Sequence, residues 1–130
     1  MKPALRKVLL LSEVVVLFGP ATLMWALSPL GFLDSLESSP QRALSIGALA
    51  IAGAFGLFSL IHIVLRILDS EYDLPPIGVL IGGLATGCVA CFGAFAFSGW
   101  HQEMLVILVP PIIGAVHFAW LAINRSLYAT

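Results

Sequence analysis

The chain has 130 residues, of which 60% are hydrophobic and only 10% charged, with a mean hydropathy of +1.06. Soluble domains run nearer ~45–50% apolar and ~25% charged, so a soluble globular protein of this size is excluded for want of polar surface. The net charge of −1 and six scattered basic residues leave nucleic-acid binding without support.

Four apolar stretches, residues 8–27, 43–67, 76–97 and 104–124, take up about two thirds of the sequence. A helix of ~20 residues, at 1.5 Å per residue, covers ~30 Å of hydrocarbon. The pattern predicts a single all-α membrane domain over residues 1–130, a polytopic bundle of four transmembrane helices with the lipid bilayer as its solvent.

Lys2, Arg6 and Lys7 precede the first stretch, as basic residues do in a signal peptide. The run that follows is ~20 residues rather than ~7–15, holds Glu13 and lacks an A-x-A-like cleavage site, so it reads as a retained helix. Pro20 is tolerable inside it where a neighbour satisfies the freed carbonyl. Ser28-Pro29, followed by Gly31, predicts its end, and Asp34, Ser35, Glu37, Ser38 and Ser39 predict a polar outer loop over 28–42. Pro40-Gln41-Arg42 is expected to open the second helix.

That helix repeats small residues at Ala48, Ala52 and Gly56, and again at Leu49, Gly53 and Leu57. After it, Asp69, Ser70, Glu71, Tyr72 and Asp73 form an acidic inner loop closed by Pro75-Pro76, either solvated or offered to a basic partner. The third helix carries Gly78-x-x-x-Gly82 and then Gly83-x-x-x-Gly87-x-x-x-Cys91. Stripes of this kind let backbones approach closely where lipid supplies no hydrophobic drive. They predict packing within the monomer or a seam between copies. Cys88 and Cys91 form a C-x-x-C pair inside the span, where small packing residues are the ordinary use and metal transfer or redox chemistry the sharper one. In the fourth helix Pro110-Pro111 and Gly114 predict a kink. Trp25, Tyr72, Trp100 and Trp120 fall near expected helix ends, as interfacial aromatics do.

Basic residues set the expected orientation. With the N-terminus cytoplasmic, Lys2, Arg6, Lys7, Arg66 and Arg125 lie inside and only Arg42 outside, which predicts N-in/C-in. Ionisable residues inside spans face the bundle interior or a wet cavity. Counted from the cytoplasmic ends, Glu13, His62 and His117 lie within about one turn of the same depth. Arg66 follows His62 by one turn, and His117, Trp120 and Asn124 share a face. Three readings stay open for this set. Glu13 pairs with Arg66 or Arg6 while the histidines bond to backbone; or Glu13 exchanges a proton against a cation; or His62 and His117 ligate a metal or a b-type haem.

Ser12-Glu13-Val14 in the first helix of a small four-helix protein resembles the small multidrug resistance transporters. The resemblance implies Glu13 as a proton and drug site shared in an antiparallel dimer. It covers only these residues, and that family's aromatic-rich second and third helices are not evident here. The string Gly87-Cys88-Val89-Ala90-Cys91-Phe92 resembles the cysteine pair of mercury-uptake membrane proteins, although in a different helix. No phosphate loop, nucleophile elbow or His-Glu-x-x-His motif is present. The sequence therefore predicts a non-enzymatic inner-membrane protein without a cofactor. It would act through helix association, as a homo-oligomer or as an accessory, assembly or immunity-type partner of another membrane protein. A small oligomeric transporter or channel using Glu13 is the alternative, and a haem-binding subunit the third.

Overall fold

The structure, a computed structural model, describes residues 3–69, 71–97, 99 and 102–128. Ser70 and Trp100, and the side chains of Lys2, Arg6 and Arg125, lie outside the described residues. Four helices follow one another: α1 (Pro3–Ser38), α2 (Pro40–Leu68), α3 (Ile77–Phe97) and α4 (Gln102–Tyr128). Each is long and apolar enough to cross a membrane. Sequence neighbours pack on one another and α4 returns to α1, which closes a four-membered ring; α2 and α3 share the most extensive interface.

The largest departure from expectation is α1. It does not stop at Ser28-Pro29 but continues to Ser38, so the expected outer loop over 28–42 is helical except at Ser39. Pro29 removes one donor and leaves the following backbone free to stay helical. Packing on α2 then holds the extension. Phe32 lies across Gly47, Ile46 reaches toward Gly31, and Ser35 and Ala43 are buried at the crossover. Ser39, in an extended conformation, precedes Pro40 at the first position of α2, where a missing N–H costs nothing. That helix start agrees with expectation. At ~1.5 Å per residue α1 is ~54 Å long, well beyond a hydrocarbon core of ~30 Å. Trp25 is accordingly not near a helix end but well within α1.

The third span starts one residue later than expected, after Pro75-Pro76. Pro110 and Pro111 both lie inside α4, which runs on through them. Gly99 turns the chain between α3 and α4 at φ 86°, a region that L side chains avoid.

Along its length the bundle divides into a solid half and a hollow half. The solid half holds Phe18, Leu60, Ile63, Ile67, Leu80, Leu84, Ala115, Phe118 and Ala122, with Leu80 and Phe118 fully buried. Phe18 makes an edge contact with Phe118 at 6.1 Å and covers Gly114, where an added methyl would stand 2.7 Å from its ring. The outer faces are apolar: Leu44 is 78% exposed and Val106 76%. Bare apolar surface on this scale suits lipid rather than water.

Candidate functional site

The glycine stripes separate into two kinds. A methyl at Gly87 would stand 2.9 Å from Gly56 Cα, and one at Gly83 would meet Ser59 Oγ and the Phe55 carbonyl. Backbone therefore touches backbone where α2 crosses α3, and Gly83, Gly87 and Gly56 act in packing within the monomer. A methyl added at Gly78 or Gly82 would meet nothing within 4 Å and Ala48 is exposed, so these three lie outside that seam. A helix face meets one neighbour at a time, and Gly78 and Gly82 lie on the side of α3 turned away from α2. Ala52 is half-buried, while Cys91 contributes to a cavity rather than to the crossing.

Glu13 and His117 are brought together. The His117 imidazole donates from Nδ1 to Glu13 Oε1, joining the first helix to the last, with the two side chains 29% and 40% exposed for Glu13 and His117 respectively. The ring also stacks on Trp120, with centroids 6.5 Å apart and planes at 26°, as i,i+3 spacing on α4 allows. Asn124 is half-buried farther along that helix. Ser12 turns back to its own helix, donating to the Leu9 carbonyl at 2.8 Å, and takes no part in the pair.

His62 and Arg66 do other work. His62 bonds through Nδ1 to the Phe58 carbonyl at 2.8 Å and lies between the rings of Phe58 and Tyr72. Arg66 donates from Nη1 to the Tyr72 carbonyl at 2.9 Å. Together they fasten the α2–α3 loop to the end of α2, and Asp69 closes that loop by accepting from the Glu71 N–H at 3.0 Å. Of the partners considered for Glu13, Arg66 bonds to the Tyr72 carbonyl and the Arg6 side chain lies outside the described residues; the contact Glu13 makes is with His117. Glu13 and His117 meet, while His62 is engaged with Phe58 and Tyr72, so the three do not form one cluster. Among the described residues no group of three or more His, Cys, Asp and Glu side chains is placed to hold a metal. The two imidazoles expected as haem ligands are engaged on separate neighbours, and the core residues Ile63 and Phe118 follow them on the helices that carry them.

The hollow half is what sequence reasoning missed. A half-open cavity of about 390 Å³ lies among all four helices, within the ~300–1,000 Å³ of small-molecule sites. Its floor is the top of the core, at Phe18, Leu60, Leu84 and Ala115; its far end carries Ser28, Arg42 and Phe97. Small residues hollow it out, among them Ala21, Ala50, Gly53, Ala90 and Ala94. Trp25 forms one wall. Its indole Nε1 donates to the Ala50 carbonyl at 2.6 Å, and its ring lies so close to Gly53 that an added methyl would stand 2.7 Å from Cδ1. Cys88 and Cys91, both free thiols, line the same space, and Cys88 also packs against the core. The polar groups of the lining are few. Thr22 Oγ1 donates to the Phe18 carbonyl, Ser28 Oγ is buried without a partner among the described residues, and the Arg42 guanidinium sits 5.7 Å from the centre of the Phe97 ring. A usable signal did exist: Arg42 is the single basic residue of its loop, and Trp25 faces a run of small residues on α2.

No protein-family profile, curated protein or solved structure matches the chain.

Proposed function

We propose that this chain is a non-enzymatic integral membrane protein that holds a lipid-phase small molecule between its helices. The observation that carries this reading is the apolar cavity of about 390 Å³ bounded by all four helices. Hydrophobic lining with a few placed polar groups is the usual makeup of a binding site for an apolar ligand. A bacterial-type inner membrane and an N-in/C-in orientation accompany the proposal, supported by the five-to-one division of basic residues. In that orientation the cavity lies in the outer half of the bilayer. Association with another membrane protein has Gly78, Gly82 and Ala48 left exposed to serve it.

Trp25 reports on occupancy. In protein carrying Trp100→Phe and Trp120→Phe, a brominated long-chain alkane should quench Trp25 saturably in phosphatidylcholine nanodiscs. Ala21→Phe or Ala94→Phe, which fill the cavity, should leave only the weak, linear quenching of a surface tryptophan. Non-saturating quenching in the unfilled protein would overturn the reading.

A second reading, proton-coupled transport, draws on one further observation: Glu13 and His117 join α1 to α4 beside the core that floors the cavity. Loss of ligand movement across proteoliposomes in Glu13→Gln, with binding at the cavity kept, is the result that favours it.

A further inference from the structure

Among the described residues the cavity has one charged side chain in its lining, and that side chain is a cation. Arg42 lies at the end away from the core, exposed, with the face of Phe97 as its neighbour. Among the described residues it makes no ion pair. The acidic residues of the same end of the bundle, Asp34, Glu37 and Glu103, are absent from the lining. Ser28, whose buried hydroxyl has no hydrogen-bond partner among the described residues, belongs to the same end of the wall. From there inward the lining is apolar, apart from Thr22 and the thiols of Cys88 and Cys91, down to Phe18, Leu60, Leu84 and Ala115, a depth along α1 of ~15 Å at 1.5 Å per residue.

We infer that the occupant is a single-chain amphiphile with a terminal carboxylate, its head on Arg42 and its tail running inward to Phe18; this rests on the cavity reading above. Each part of the ligand answers a part of the site. A guanidinium keeps its charge at any physiological pH and presents a planar fork that matches a carboxylate in two parallel hydrogen bonds. One cation without a second suits a monoanion, whereas a phosphate dianion calls for further donors. A single hydrocarbon chain suits a cavity near the lower end of the small-molecule range, lined by alanine, leucine and phenylalanine. Arg42 is exposed at the mouth, so an anionic head can meet it without either charge being buried.

The test uses the single-tryptophan protein in phosphatidylcholine nanodiscs with three brominated probes: a long-chain carboxylic acid, the chain-matched alcohol and the chain-matched alkane. The acid should reach half-saturation at a concentration about ten-fold or more below the alcohol, as a charge-assisted head contact gives. Arg42→Gln should erase that preference while the alkane still saturates, and Arg42→Lys should keep part of it. If alkane and alcohol saturate and the acid is no tighter, the carboxylate assignment is overturned and the cavity reading stands. An acid preference that survives Arg42→Gln also overturns it, since the anchor then lies elsewhere. If none of the three probes saturates in the unmutated cavity, both readings fall together.

Discussion

Glu13 is a carboxylate set among apolar neighbours, and what it touches decides what its removal does. Its partner is the imidazole of His117 on the last helix, and Arg66 is occupied with the Tyr72 carbonyl. A double-mutant cycle on thermal unfolding should therefore give a coupling of about 0.5–1.5 kcal/mol for Glu13→Gln with His117→Gln, the range of interhelical hydrogen bonds in membranes. The same cycle with Arg66→Gln should give close to zero. Coupling to Arg66 instead would mean that α1 is rotated from the arrangement described. Arg66→Gln has its own consequence: the α2–α3 loop loses its tether, and amide exchange at Glu71–Leu74 should quicken without a change in the core. Depth counting in the sequence put Glu13 and His117 on one level, and they do meet. It could not choose between His62, His117 and Arg66, because that depends on the rotation of each helix about its axis. Periodicity fixes such rotation only where one face is polar, and here every face is apolar.

At the scale of the element, the α2–α3 crossing and the length of α1 both test packing against local propensity. Gly83→Leu or Gly87→Leu forces a bulky side chain into backbone contact with α2, and we expect each to cost about 1–3 kcal/mol on unfolding or to prevent folding. Gly78→Leu and Gly82→Leu meet open space and should stay within about 0.5 kcal/mol of the parent. Equal damage from all four would show that α3 carries a second tight interface. In α1, amides of residues 30–38 should be protected from exchange as a helix is, and rapid exchange there would restore the loop. The start of α2 was legible because Pro40 at a first helical position is chemistry that local sequence can express. The end of α1 was not. Ser-Pro-x-Gly is a stop signal for an isolated helix, and only the seating of Phe32 on Gly47, some fifteen residues away, overrides it.

For the whole molecule, the four spans were plain in the sequence because a 30 Å apolar slab asks for long apolar helices and little else. The cavity was not legible, since alanine and glycine mark a close crossing and a hollow with the same composition. Gly56 and Gly53 lie one turn apart on α2; one admits a backbone, the other an indole. Which occurs depends on how the helices splay, a property of all four together. Orientation is tested directly. A cysteine placed at Ser38 in a Cys88→Ala, Cys91→Ala background should be labelled from outside intact cells by an impermeant maleimide, and one at Glu71 should not. The reverse pattern would put the mouth of the cavity on the cytoplasmic face.

The Glu13–His117 contact also has a meaning in time. The two residues are 104 positions apart, and a ribosome adding ~5–20 residues per second needs on the order of 5–20 s to bring out the second after the first. Throughout that interval α1 has left the exit tunnel with the Glu13 side chain lacking the imidazole it meets in the folded chain, and an unpartnered charge in hydrocarbon is costly. The first helix is therefore expected to wait at the insertion machinery until the last one arrives. The ring then closes as one late event, with the hollow above its core open to the bilayer until that moment.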